Sequence, residues 1–284
     1  MIDTVFRIAA FTTNPAGGNP AGVWVGDAFP DPGTMLSIAA EVGYSETAFI
    51  TPRHGVTRTI RYFSPEAEVS FCGHATIASG FVLGELEGDA NFELSTSVGL
   101  VRLEVESSGG VREVSLTSVL PRQEAMPLGQ LEELLAALDW SMNELDDGIL
   151  PVRAYAGAWH AVLASRTLER LNRLEYDFER LKTIMQNRGL TTLQLVHRES
   201  ERVFHSRNPF PVGGIYEDPA TGAAAAALGG YLRDIGLVCP PAVIIVRQGE
   251  AMGRPSRITV GIPRSGGIVV RGSAVRIPSI SVRR

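Results

Sequence analysis

Cysteine is scarce in this chain. Cys72 and Cys239 are the only two among 284 residues, too few for a disulfide framework or a cysteine-built zinc site. A reducing, cytoplasmic setting is the simplest expectation. No apolar run reaches the ~18 residues of a membrane span, so no membrane partner is expected. Asp3 and Arg7 interrupt the opening segment within a strand-like pattern, which does not read as a signal peptide. Blocks of basic charge are missing as well. Arg outnumbers Lys heavily, but the arginines are scattered and the net charge is −5, which argues against a nucleic-acid partner. Gly17-Gly18-Asn19 and Gly213-Gly214 lack the spacing of a dinucleotide fingerprint, and no P-loop occurs. A serine-hydrolase elbow, G-x-S-x-G, is also absent.

What is present is an ordinary globular composition, long enough for a large core and about two domains. Segment 4–11 reads as a strand, with Phe6 and Ile8 on one face. A turn-rich stretch, 14–22, separates it from a strand at 23–25. Asp31 suits a helix cap, Pro32 the first helical position and Gly43 the end, with Met35, Leu36, Ile38, Ala39 and Val42 as the apolar face. Further strands are expected at 44–50, 57–63, 91–96, 100–106 and 111–116, the last two joined by a turn at 108–110. Beyond Leu120-Pro121-Arg122, taken as the domain boundary, Leu128, Leu131, Leu134, Leu135 and Leu138 have helical spacing. Phe178, Leu181, Ile184 and Met185 mark another helix, closed by Gly189. Strands are expected at 152–155, 160–164, 191–196, 202–205, 242–247, 257–262, 268–271 and 274–277.

Two stretches stand out from this background. Phe71-Cys72-Gly73-His74-Ala75-Thr76 precedes a run of small and apolar residues that reads as a buried helix. Glu217-Asp218-Pro219-Ala220-Thr221-Gly222 precedes a helix made mostly of alanine. Free N–H groups at a helix start favour an anion. Two such starts suggest two similar halves holding one small organic anion. The order within each half is strands, one helix of small residues, then more strands. This favours an α+β fold, with each helix wrapped by a sheet, over a doubly wound parallel sheet.

The side chains in these stretches offer chemistry. On strand alternation Glu46 shares a face with Tyr44, Ala48 and Ile50. A carboxyl there is costly unless paired or protonated, and burial would raise its pKa towards one suited to proton transfer. The plain alternative is a surface carboxylate on an edge strand. Asp218 can accept a proton, orient an imidazole or merely cap the following helix. His74 can donate to a substrate oxygen or relay a proton, or simply satisfy backbone groups. Cys72 near the helix start can pair with His74 as a nucleophile, but spacing of two residues does not assure contact, and a buried small hydrophobe is the plainer role. His54, His160, His197 and His205 show no metal-like spacing, and no metal is assigned. Cys239 sits in a proline-rich loop and receives no role.

Asn19-Pro20-Ala21-Gly22-Val23, Ser45-Glu46-Thr47-Ala48-Phe49, Cys72-Gly73-His74-Ala75-Thr76 and Glu217 to Gly222 occur in that order. Together with Gln248-Gly249 and Met252-Gly253-Arg254-Pro255-Ser256, they resemble the phenazine-biosynthesis PhzF-like family across nearly the whole chain. That resemblance implies a fold similar to diaminopimelate epimerase. Two pseudo-symmetric domains would each wrap a mixed, partly antiparallel sheet round a central helix, with the active site in a cleft between them. The domains would be 1–120, completed by a C-terminal strand at about 268–284, and 121–267.

The resemblance also implies a cofactor-free isomerase that moves a proton within a small carboxylate-bearing metabolite. It places the acid/base glutamate at Glu46, the histidine at His74 and the aspartate at Asp218. Substrate-holding positions fall at Asn19, Gly73, Ala75, Thr221, Gly222 and Ala223. A homodimer is expected on the same ground. Epimerases of this fold use two cysteines. Cys72 matches the first, but the second falls at Pro219, against a two-thiol racemase. The rival readings are a non-catalytic small-anion-binding protein and a Cys72-dependent racemase or hydrolase.

Overall fold

The computed structural model describes residues 5–51 and 57–278. Asp3, Thr4, His54 and the last six residues, 279–284, lie outside it. The chain divides into two compact units, residues 1–117 with 271–284, and residues 118–270.

The first unit begins with strands β1 (Val5–Ala10) and β2 (Asn19–Val25), helix α1 (Pro32–Val42) and strands β3 (Thr47–Ile50), β4 (Thr57–Phe63) and β5 (Glu68–Val69). Helix α2 (Gly73–Glu87) follows, then strands β6 (Asn91–Thr96), β7 (Gly99–Ser108) and β8 (Val111–Thr117). Neighbouring strands pair antiparallel, except β2 with β3 and β4 with β6, which run parallel. The second unit holds strand β9 (Arg122–Ala125), helix α3 (Leu128–Leu138), strands β10 (Val152–Tyr155) and β11 (Trp159–Ala164), and helices α4 (Leu168–Asn172) and α5 (Phe178–Arg188). It continues with strands β12 (Thr192–Arg198), β13 (Val203–Phe210) and β14 (Ile215–Asp218), helix α6 (Gly222–Asp234), and strands β15 (Ala242–Gln248) and β16 (Ser256–Ile262). The last strand, β17 (Val269–Arg276), pairs with both β1 and β8. It thereby closes the first unit's sheet into a ring, so that no edge strand is left between β1 and β8.

Each unit has a helix of small residues against its sheet. Helix α2 packs on β1, β2, β3, β7 and β8, and helix α6 on β9, β10, β11, β12 and β16. A helix so enclosed must be apolar all round, and from His74 to Gly84 every α2 residue is buried. Its hydroxyls bond back to its own carbonyls, Thr76 to Cys72 and Ser79 to Ala75. Glycine lets it approach the sheet closely. A Cβ on Gly80 would come within 2.6 Å of Val114, and one on Gly84 within 2.8 Å of Val105. Outer helices cover the far faces. Helix α1 starts at Asp31, which accepts from the Thr34 amide, and ends at left-handed Gly43. Its Met35, Ile38, Ala39 and Val42 pack on Phe49 and Phe63. In the second unit, leucines of α3 and α5 pack with Leu163, Leu193 and Leu195 of the sheet.

The structure corrects several expectations. Segment 44–50 is strand only from Thr47, so Glu46 precedes the strand instead of alternating along it. Thr47 to Ile50 are all buried because both faces are covered, and alternation carries no signal there. Residues 19–22, expected in a loop, open β2. Pro20 is tolerated because β3 pairs with β2 only from Gly22 onward. The two strands expected at 268–271 and 274–277 are one strand running through Gly272. The strand expected at 202–205 continues to Phe210, and Glu217 and Asp218, expected only to precede a helix, belong to strand β14. Leu128 is exposed, unlike the other leucines of α3. The expectations omitted β5, β9 and α4.

Candidate active site

The start of α2 is shaped by its cap. Cys72 occupies the cap position in extended conformation and makes no side-chain bond to the helix start. The amides of Gly73, His74 and Ala75 therefore have no intrahelical acceptor. A Cβ on Gly73 would meet nothing within 4 Å, so there is open space beside these amides. Behind the cap, Tyr62 donates to Thr76 Oγ1 at 2.7 Å, and Thr76 donates to the Cys72 carbonyl at 2.6 Å. Burial pushes the Tyr62 phenol well above its ordinary range, so it stays a protonated donor.

Three side chains, those of Glu46, Ser45 and Cys72, converge on His74 at the helix start. His74 Nε2 lies 3.3 Å from Glu46 Oε2 and 3.4 Å from Ser45 Oγ. Its Nδ1 lies 3.3 Å from Cys72 Sγ. Spacing alone left the Cys72–His74 contact open. It forms because the chain turns from extended at Cys72 into helix at Gly73, bringing both side chains to the same side. Glu46 Oε2 is buried and takes no hydrogen bond. The main chain at Glu46 is fixed, since its carbonyl accepts from the Gly22 amide at 3.1 Å. Asn19, three residues earlier, is buried opposite Ala10 at the beginning of β2.

In the second unit Asp218 ends β14, buried, and its Oδ2 accepts from the Thr221 hydroxyl at 2.5 Å. The helix cap is Thr221, not Asp218, and its side chain makes no capping bond. Gln248 explains why. Its Nε2 donates to the Asp218 carbonyl at 2.7 Å and to Thr221 Oγ1 at 3.0 Å, and its Oε1 accepts from the Thr221 amide at 3.1 Å. With its hydroxyl so engaged, Thr221 leaves the amides of Gly222, Ala223 and Ala224 without an intrahelical acceptor. Gly249 is fixed by close approach: at φ +74° a Cβ would sit 2.3 Å from the Arg254 carbonyl and 2.7 Å from that of Pro219.

The structure thus brings together Glu46, His74 and Ala75 with Gly73 in one unit, and Asp218 with Thr221, Gly222 and Ala223 in the other. Sequence reasoning gave no role to Ser45, Tyr62, Thr76 or Gln248. Ser45, Thr76 and Gln248 lie inside stretches that carried the family resemblance. Tyr62 had no signal beyond its place in a strand.

The first unit is a strand ring round a buried helix, with a carboxylate, an imidazole and a thiol at the helix start. The structure is similar to a predicted epimerase from Pseudomonas aeruginosa, at TM-score 0.86 and 24% identity over 96% of each chain. It is similar in fold to a hydroxyproline epimerase from Agrobacterium vitis solved with bound trans-4-hydroxy-L-proline. There the TM-score is 0.63, with 15% identity over 96% of this chain and 90% of the other. The family model described as phenazine biosynthesis-like protein, PhzC-PhzF, matches residues 8–279, and the chain belongs to that family. Among curated relatives, a Pseudomonas fluorescens protein named trans-2,3-dihydro-3-hydroxyanthranilate isomerase is 30% identical, covering 88% of this chain and 86% of its own. No described helix is long and apolar enough to cross a membrane.

Proposed function

We propose that the protein is a cofactor-independent isomerase that moves a proton within a small carboxylate-bearing metabolite. The observation that carries this reading is the Glu46 carboxylate: it is held beside His74 Nε2 at 3.3 Å with no hydrogen bond to Oε2, next to open helix-start amides. Glu46 takes a proton from a carbon acidified by a neighbouring carbonyl or conjugated system and returns it elsewhere on the same molecule. His74 polarises or relays. The amides of Gly73 and Ala75 favour a carboxylate and the charge that develops as the proton leaves. Asp218, Thr221 and the amides of Gly222 and Ala223 serve the same substrate in this reading, which rests for them on family membership and on the Gln248 brace. The protein acts in the cytoplasm as a homodimer in the same reading.

The test uses the dihydro-hydroxyanthranilate named for the Pseudomonas fluorescens relative, and close analogues, incubated in deuterated water. Wild-type protein is expected to isomerise a substrate of this class and exchange its migrating proton. Glu46→Gln should retain binding and lose roughly 10²-fold or more in turnover. Full activity of that variant on a true substrate removes the assignment.

One observation favours a second reading. Cys72 Sγ lies 3.3 Å from His74 Nδ1, the contact a thiol-dependent enzyme needs. Turnover that survives Cys72→Ser and thiol alkylation excludes it.

A further inference from the structure

Asp218 closes β14, and the ladder alone fastens that strand poorly. It is four residues long and pairs with β13 through Asn208–Asp218, Pro209–Glu217 and Phe210–Ile215, with a register shift between Pro209 and Phe210. Pro209, opposite Glu217, has no N–H to give. Side chains hold the strand as well. Successive residues of a strand point to opposite faces, so Asp218 turns to Thr221 while Glu217 turns the other way. Arg207 precedes Pro209 by two residues, on the Glu217 face. Its Nε donates to Glu217 Oε1 at 3.0 Å and its Nη2 to Oε2 at 2.5 Å. Its Nη1 donates to the carbonyl of Asn172, the last residue of α4, at 2.8 Å. The pair is buried, with 12% of the Arg207 side chain and 3% of the Glu217 side chain exposed.

We propose that Arg207 is a positioning residue for Asp218, acting through Glu217. The inference rests on the isomerase reading above, in which Asp218 serves the substrate. Gln248 fixes the main chain at the Asp218 carbonyl, and the guanidinium fixes the residue before it. A guanidinium that takes both carboxylate oxygens sets orientation as well as distance, and its third nitrogen ties that orientation to α4. A lysine keeps a charge beside the buried carboxylate but loses the fork. Misplacing a reacting group by about 1 Å costs up to ~10²-fold in rate, so loss of the fork falls on turnover.

The test is a double-mutant cycle on the full-length protein, with the same dihydro-hydroxyanthranilate as substrate and kcat and KM as readouts. Arg207→Lys should lower kcat by about 10-fold or more and change KM by less than about 3-fold. In an Asp218→Asn background the same substitution should lower the residual kcat by less than about 2-fold, because the group it positions is gone. Leu134→Ala, in the core under α3, should lower the urea midpoint and leave kcat unchanged, which separates placement from plain destabilisation. A second readout needs no turnover. The NMR signal of the Asp218 carboxyl carbon, assigned by its loss in Asp218→Asn, should shift in Arg207→Lys and not in Leu134→Ala. An unmoved signal overturns the inference. With Asp218→Asn impaired, so does a wild-type kcat in Arg207→Lys or an equal fall in both backgrounds. A shifted signal with full kcat in Asp218→Asn leaves the placement standing and removes Asp218 from the proposed reaction.

Discussion

Gln248 holds Thr221 from both sides: its Oε1 accepts from the Thr221 amide at 3.1 Å while its Nε2 donates to the Thr221 hydroxyl at 3.0 Å. The same Nε2 reaches the Asp218 carbonyl at 2.7 Å. One buried amide thus ties the end of β15 to the end of β14 and the start of α6. Gln248→Leu keeps much of the volume and strands the Thr221 amide and the Asp218 carbonyl. A loss of about 1–3 kcal/mol is expected. Gln248→Glu replaces a donor by a buried acceptor facing the Asp218 carbonyl and should be no less damaging. Urea unfolding midpoints measure both, and a Gln248→Leu midpoint equal to wild type would show that the brace contributes nothing.

The brace behind α2 predicts coupling rather than a single loss. Tyr62 donates to Thr76, and Thr76 donates to the carbonyl of the cap residue Cys72. Tyr62→Phe removes the first bond and should cost about 1 kcal/mol. Thr76→Val removes both and should cost more. Because the two residues share one chain of hydrogen bonds, the double variant should fall short of the sum by at least ~0.5 kcal/mol. Strict additivity in the double-mutant cycle would show that the two bonds are independent.

How much of this was legible depended on how local the signal was. Helix α1 could be read residue by residue, because Asp31, Pro32 and Gly43 act on their own neighbours. The helices after Cys72 and Thr221 were visible as runs of small residues, but their caps were not, because neither side chain makes a capping bond. Strand β3 was misread at its beginning because burial on both faces erases alternation, and this misplaced Glu46 on a strand. The Cys72–His74 contact depends on the backbone turning at Cys72, which residue spacing does not encode. The Gln248 brace joins positions 27 and 30 residues apart, and only the fold brings them together. Helix α4, five residues long, is too short to show a periodic face.

Gly22 sets the position of Glu46 through the neighbouring backbone. Its amide donates to the Glu46 carbonyl, and a Cβ there would lie 2.6 Å from Thr47 Oγ1 and 2.9 Å from Thr47 Cγ2. Gly22→Ala must push Thr47 aside, at an expected cost of about 1–3 kcal/mol, and carries Glu46 with it. Thr47→Ala removes the two atoms that clash most closely. The pair Gly22→Ala with Thr47→Ala should therefore recover part of the stability lost by Gly22→Ala alone. Thermal unfolding of the three variants decides it, and a double variant less stable than both singles would contradict the steric account.

His160 gives the second unit a pH dependence whose sign can be worked out. Its side chain is fully buried, with Nδ1 2.8 Å from Thr192 Oγ1 and no partner at Nε2. Asn208 donates to that same hydroxyl at 3.3 Å and to Gln194 Oε1 at 2.6 Å, so His160 ends a buried polar chain. Desolvation, only partly offset by a hydrogen bond to the Thr192 backbone, pulls its pKa down from 6.5 to about 3. Between those values the unfolded chain binds a proton that the folded chain does not. Stability from this group is therefore complete above about pH 6.5 and falls as the pH drops towards about 3, by about 1.4 kcal/mol per unit. Lowering the pH from 7 to 5 should remove about 2 kcal/mol through His160 alone. His160→Asn, which does not titrate, should be less stable at pH 7 but should lose about that much less between pH 7 and 5. Urea denaturation of both proteins at the two pH values gives the comparison. Equal losses in the two proteins would mean that the imidazole is protonated alike in folded and unfolded chains.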